Sequence, residues 1–339
     1  LAIAAACLAQ PHPVATPESL ARRINQAKGG ETILLAAGDY GVISVGNRKF
    51  DAPGLTIAPA PGAMVIASQI EIGSSEGLTI KDIDVNIGQA NFGVMVSHSS
   101  HIGFKAMNIH VSTGATTASS IPSGMMLRDS SFISVEDCEM HQLGTGLNFV
   151  DSDHLQIVRN NFEGLQSDAI RGASSQVDVI GNHASDFHPH PGDHPDFIQF
   201  WGSQAKGPST GNQIKNNILE RGGGDPVQGI FLEDNKDVVI TGNALLGTMY
   251  NGIALARVQN GLVENNFVQG FTDMKTWIIT RGTSEDVTVR NNVSPSVITY
   301  NDGGKPNPRY KEDHNKSIGA AKIGDDRAMK DWLAKQADR

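Results

Sequence analysis

Two cysteines in 339 residues, Cys7 and Cys138, are too few for a disulfide framework or a thiolate metal cluster. No run of Lys or Arg interrupts a net charge of -9, which argues against a nucleic-acid partner. A basic groove can still exist on an acidic protein, so an anionic ligand stays open. No apolar stretch is long enough to span a membrane. Aromatic residues are scarce at 6%, whereas Gly reaches 37 and Asn is frequent, a balance suited to many tight corners rather than a helical bundle. With 39% hydrophobic and 19% charged residues, the chain is nonetheless long and apolar enough for a substantial core.

The one short apolar run, Leu1 to Ala9, reads as the tail of a secretory signal and places the protein in a secreted or periplasmic setting. Cys7 lacks the Leu three residues earlier that a lipoprotein cysteine would have.

What the chain has is a repeat. Aliphatic alternation closing on Asn recurs as Leu155 to Asn161, Val177 to Asn182, Asn212 to Asn217, Val238 to Asn243, Leu262 to Asn266 and Val287 to Asn292. The closing Asn residues are spaced 21, 35, 26, 23 and 26 apart, the length of one coil of a parallel β-solenoid with two coils enlarged. Stacked inward Asn side chains can bond turn backbone and one another. Cys138 falls on the same position and reads as a small buried residue. Thr16 to Lys28 has Leu20, Ile24 and Ala27 on one face and predicts a short capping helix. These signals divide the chain into a signal remnant (1–10), an N-terminal cap (11–50), an all-β solenoid (51–300) and a tail (301–339). In the tail, a helix from Asp325 to Ala337 is expected to fold over the last coil.

A second aliphatic phrase follows each Asn. Aligning its copies sends Val94, Met125, Leu147, Ile170, Ile198, Ile230, Ile253 and Trp277 inward. One outward column then holds Met95, Met126, Asn148, Arg171, Gln199, Phe231 and Ala254, and the next holds Arg128, Trp201 and Glu233. The link from Asn to second phrase is normally seven to nine residues, but 14 before Asp196 and 11 before Gln228. The two enlarged links leave the same edge on consecutive coils and predict a wall beside a binding face.

Asp168 and Asp196 share one register on adjacent coils, about 4.8 Å apart. Carboxylates that close share a proton, bind a cation or take a nearby Arg, here Arg171. Prolines stiffen the segment His188 to Asp196, which carries His188, His190, Asp193 and His194. His190 or His194 is the candidate acid or base near neutral pH. Zinc fits this spacing poorly. Calcium is the more natural cation, with Asp168, Asp193 and Asp196 as candidate ligands, and no organic cofactor is expected. Arg128, Asn148, His188, Gln199, Trp201, Gln228, Glu233, Tyr250, Asn251 and Arg257 are the candidate substrate contacts on or beside this face.

The repeat, the helix followed by Gly29 to Tyr40, and the Asp ladder resemble the pectate-lyase-like superfamily of right-handed parallel β-helices. The segments Ser167 to Arg171 and Pro195 to Gln199 are similar to the Asn-Thr-Asp and Asp-Asp motifs of polygalacturonases, which would make Asp168 and Asp196 catalytic. Here Pro195 replaces one Asp of the pair, Gln228-Gly229 stands where Gly-His-Gly is expected, and no Arg-Ile-Lys follows. Asp193 to Asp196 is a permuted version of the Asp-Pro-His-Asp of mannuronan epimerases. The resemblance implies a lyase or C5-epimerase of an acidic polysaccharide, ahead of a hydrolase using Asp168 and Asp196. The third alternative is a non-catalytic carbohydrate-binding solenoid.

Overall fold

The computed structural model describes residues 14–111, 121–299 and 309–337; the expected signal remnant lies outside them. The chain winds as a parallel solenoid with three strands per coil. In one coil these run Phe92–Ser97 on face A, Ser100–Lys105 on face B and Asn108–Val111 on face C. Every ladder is parallel, as in Asn148↔Arg171↔Gln199↔Phe231↔Ala254 along face A. The stretch between Asn and second phrase, expected as a compact turn, therefore contains a short strand of its own. Three residues with one inward side chain, such as Asn161–Glu163 around Phe162, are too short to show an alternation.

The core is three stacked columns. Leu147, Ile170, Ile198, Ile230 and Ile253 line face A, Ile102, Ile133, Leu155 and Val177 line face B, and Ile109, Met140, Phe162 and Leu219 line face C, all buried. Each such side chain stabilises the fold by about 1.5–3 kcal/mol. Asp168 and Arg171 precede Gly172, where a Cβ would fall 2.1 Å from the Phe149 carbonyl. Its absence lets Phe149 and Phe200 meet edge-on at 5.1 Å across this coil.

The corner between faces B and C combines a left-handed residue with an inward rung. Asp137, Arg159, Asn216, Asn265 and Asn291 take φ near +50°, and Gly181 and Gly242 are also left-handed, which is why Gly, Asn and Asp recur there. Cys138, Asn160, Asn182, Asn217, Asn243, Asn266, Asn292 and Asn315 follow as rungs, each backbone N–H donating to the next rung's Oδ1 at 2.9–3.0 Å. Asn160, not Asn161, is the rung. Asn161 is half-exposed and bonds Glu139 and His183 instead. Cys138 is buried as expected, and burial pushes its thiol up to about 12. A second ladder, at the A–B corner, runs through Ser75, Ser99, Ser130, Ser152 and Ser174.

The ends differ from expectation. Helix α1, Pro17–Gln26, buries Leu20 and Ile24, but Thr32–Leu35, Gly38–Asp39 and Val42–Gly46 already form a complete coil within the region read as cap. Pairing also continues beyond residue 300, through Tyr310–Asp313 and Lys316–Ser317. The second helix, α2, spans Arg327–Ala337 and lies against the outside of face C, where Met329 packs with Ala244, Leu246 and Phe267. It covers a flank rather than the end of the last coil, because outward positions there turn apolar. Among the described residues no helix is long and apolar enough to cross a membrane.

Candidate active site

The enlarged links stand side by side at the C–A edge. The Asp186 carboxylate accepts the Gly223 N–H at 2.6 Å, and the Asp225 N–H donates to the Phe187 carbonyl at 2.9 Å, so the two form one wall. An opposing wall rises at the A–B edge from residues 201–208. There Ser203 Oγ donates to Asp151 Oδ1 at 2.5 Å and Lys206 Nζ to the Asp151 carbonyl at 2.6 Å. A cavity of about 420 Å³ lies on face A beside the first wall.

Asp168 and Asp196 meet beneath this wall, each only 4% exposed, so they are not the surface carboxylates expected. Asp168 Oδ1 accepts the Asp196 N–H at 2.7 Å, and its Oδ2 accepts Arg171 Nη1 at 3.2 Å. Arg171 is held in turn by Asn148 Oδ1 at 2.8 Å. Asp196 Oδ1 has no hydrogen-bond partner. Burial raises the pKa of both carboxyls, and for Asp196 the adjacent Asp168 charge adds to it while Arg281 opposes. Asp168 has the donors that stabilise an anion and Asp196 has none, so of the two it is Asp196 whose surroundings favour the neutral acid.

His194 lines the cavity with Asp193, while His188 and His190 are exposed on the loop outside it. The Gln228 amide NH₂ faces both His194 Nδ1 at 3.1 Å and the His194 carbonyl at 3.2 Å. A carbonyl only accepts, so the NH₂ orientation is fixed, and Asn251 Nδ2 donating to Gln228 Oε1 agrees with it. Nδ1 of His194 is then an acceptor, and the neutral ring carries its proton on Nε2.

Gln199, Gln228 and Asn251 line the cavity as the sequence predicts. The other candidates lie elsewhere. Arg128 is exposed on an earlier coil, Trp201 is half-buried at the base of the A–B wall, and Arg257 is tied to Glu233 at 2.6 Å and Asp234 at 2.7 Å. Tyr250 is exposed against Trp277, ring centroids 5.9 Å apart. Trp277 itself points outward. An irregularity between Asn251 and Ile253 shifts the register, and Ile278 takes the inward place. The same shift brings Arg281 to the cavity, its guanidinium 5.2 Å from the Phe231 ring centroid. Neither Arg281 nor Phe231 was among the candidates, although an Arg at an inward position of the expected register signals that the register is off by one.

Of the three Asp residues expected as calcium ligands, Asp168 has both oxygens engaged, by the Asp196 N–H and by Arg171, and Asp193 is exposed on the loop. Among the described residues no group of three His, Cys, Asp or Glu side chains is placed to hold a metal.

A family model for the right-handed β-helix region matches residues 93–268, just over half of the sequence. The chain belongs to the right-handed β-helix family. No curated protein matches it significantly. Among solved structures this β-helix protein is similar to the A-module of the Azotobacter vinelandii mannuronan C-5 epimerase AlgE6, with 12% identity, a TM-score of 0.64, and 91% of this chain and 92% of that one covered. It is similar also to a mannuronic acid-specific family 6 polysaccharide lyase from human gut microbiota, at 12% identity and a TM-score of 0.58, covering 96% and 99%. A tailspike of the E. coli bacteriophage HK620 matches at 13% identity and a TM-score of 0.62, covering 90% and 62%. At such identities the likeness establishes the β-helix protein's fold alone.

Proposed function

We propose that this β-helix protein cleaves an anionic polysaccharide in the walled cavity, with Asp196 as general acid and Asp168 as its ionised partner. The observation carrying this reading is the unequal pair: adjacent carboxyls, one stabilised as an anion by an N–H and an Arg, the other buried without a partner. Environments that separate two carboxyls in this way assign acid and anion roles. Asp196 gives its proton to the glycosidic oxygen as the bond to the anomeric carbon breaks, Asp168 balances the positive charge developing there, and a water then adds to that carbon and returns its proton to Asp196. Positions one coil apart suit a retaining rather than an inverting pair. Arg281 supplies the cation for a substrate carboxylate, with Gln199, Gln228 and the His194 Nε2–H as further donors.

Elimination or epimerisation at the uronate C5 is the second reading. It is favoured by Arg281 beside Asp196, the one neutralising a uronate carboxylate and the other, protonated, donating a hydrogen bond to it, and by the fold shared with an epimerase and a lyase of mannuronate polymers. It also needs a base, and His194 in this tautomer presents a donor, so the C5 proton would have to pass to Asp168. Incubation with alginate, polygalacturonate and bacterial exopolysaccharides separates the readings. New reducing ends without ultraviolet-absorbing unsaturated uronate support hydrolysis, while unsaturated ends or inverted C5 configuration overturn it. Absence of any change in all these polymers, with wild type and Asp196→Asn alike, removes the catalytic reading.

A further inference from the structure

A second concavity, of about 670 Å³, lies on face B, a different side of the solenoid from Asp168 and Asp196. Its floor is the outward column Thr79, Gly103, Ser134, Gln156, Asp178 and Gln213, successive coils in parallel register. Gly103 and the small hydroxyl residues beside it deepen the floor, since even a Cβ at 103 would come within 3.2–3.3 Å of Thr79 and Ser134. One side is a ridge of stacked rings, His101, Phe132 and His154, with centroids 4.8 and 4.4 Å apart. These residues project because each takes a left-handed φ at the start of its strand. Phe132 remains 48% exposed, but both ring faces are covered by its neighbours. The ridge therefore offers edges, and works as a wall rather than a stacking platform.

Elsewhere the outward polar residues pair with each other from coil to coil, as in Asp137–Arg159, Glu264–Arg290 and Asp84–His110. From Thr79 to Asp178 along this floor they do not. No hydrogen bond within the chain engages the side chains of Thr79, Ser134, Gln156 or Asp178 among the described residues. From Thr79 to Asp178 the floor is thus a row of free hydroxyl, amide and carboxylate groups at the strand spacing of about 4.8 Å, and it ends at Gln213, whose Oε1 accepts a hydrogen bond from Lys215 Nζ. It contains no Lys or Arg, in contrast to the face A cavity with Arg281.

We propose that the face B groove is a second, non-catalytic carbohydrate site that binds a neutral, hydroxyl-rich glycan running along the solenoid axis. Unpaired amides such as Gln156 recognise hydroxyls, and the free Asp178 carboxylate in the middle of the floor repels uronates. This site stands independently of the reaction proposed for face A.

Affinity electrophoresis in gels containing cellulose-derived, mannan-derived or starch-derived soluble neutral polymers tests it, with polygalacturonate as the charged comparison. At least one neutral polymer is expected to retard the protein. The double variant Gln156→Ala, Asp178→Ala should weaken that retardation about tenfold, the scale of two lost hydrogen bonds, with an unchanged far-ultraviolet circular dichroism spectrum. Ser134→Trp, which fills the floor, should do the same, whereas Arg281→Ala should leave it intact. The proposal is overturned if no neutral polymer retards the chain, if only polygalacturonate does, or if Arg281→Ala abolishes binding while the groove variants keep it. It is also overturned if sedimentation shows concentration-dependent self-association that Ser134→Trp removes, since the groove would then seat a second copy.

Discussion

Asn160 and Asn161 are chemically identical neighbours with opposite places in the solenoid, so replacing each by Ala isolates what a rung contributes. Asn160 Oδ1 accepts the Cys138 N–H at 3.0 Å, and its Nδ2 donates to the Val135 carbonyl and to Asn182 Oδ1, both at 2.9 Å. In Asn160→Ala the Cys138 N–H is left without a partner in a fully buried turn, costing about 1–3 kcal/mol. The two lost donor bonds add about 0.5–1.5 kcal/mol each. Asn182 Oδ1 keeps the Asn160 backbone N–H at 2.9 Å, so damage does not spread to the next rung. The expected loss is about 2–6 kcal/mol. In Asn161→Ala the released partners, Glu139 and His183, reach water, and the loss should stay within about 0.5 kcal/mol. Urea unfolding followed by circular dichroism measures both, and amide exchange should show protection lost at Cys138 in the first variant alone. Equal destabilisation, or a larger effect at Asn161, would refute the rung assignment.

Asp196→Asn should stabilise the fold increasingly as pH rises. The folded pKa of Asp196 is raised, first by burial and then by Asp168, so its stabilising proton is fully present below the unfolded value of about 3.9 and is lost as pH climbs through the folded value. Asn has no such loss, and unfolding midpoints at about pH 5 and pH 8 should diverge; a constant or narrowing gap contradicts the protonated assignment. If the face A cavity is catalytic, the same variant should lose most turnover on whichever polymer is cleaved, about 10²-fold or more, and turnover within a few-fold of wild type would remove Asp196 as the acid. Arg281→Ala should raise KM for a uronate polymer more than it lowers kcat, and an unchanged KM would dismiss its contact with the substrate carboxylate. Met329→Ala, at the buried contact of α2 with face C, should cost about 2–5 kcal/mol, and a loss below about 0.5 kcal/mol would mean that α2 is not seated there.

Sequence alone exposed those parts of the fold that depend on period. Columns such as Leu147 to Ile253 were readable because two-residue alternation recurs at coil length. The face C strands were not, with one inward side chain each, and neither was the coil at Tyr310 to Ser317, whose residues are almost all polar. Asn160 was confused with Asn161 because two Asn in succession offer equal candidates, and only burial separates them. The serine ladder was missed for a similar reason, since Ser occurs often on solenoid surfaces and its partner lies a coil away.

The face A cavity was located from sequence through irregularity, since the two long links before Asp196 and Gln228 mark one edge of it. Its chemistry needed three dimensions. Whether Asp168 or Asp196 keeps the proton depends on one backbone N–H, one guanidinium and their absence at the neighbour, none of which follows from register. Arg281 depended on a single shift between Asn251 and Ile253, after which every outward residue of its strand changes place. A solenoid therefore makes position legible where its period holds, while Arg281 and the Asp168–Asp196 pair sit where the period slips. If the register of Thr276–Arg281 is what delivers Arg281, deleting Ile279 should return the Arg to the inward column, opposite Leu255. Such a variant should unfold rather than lose selectivity alone, because an Arg buried among Leu255 and Val289 has no counter-charge within the core.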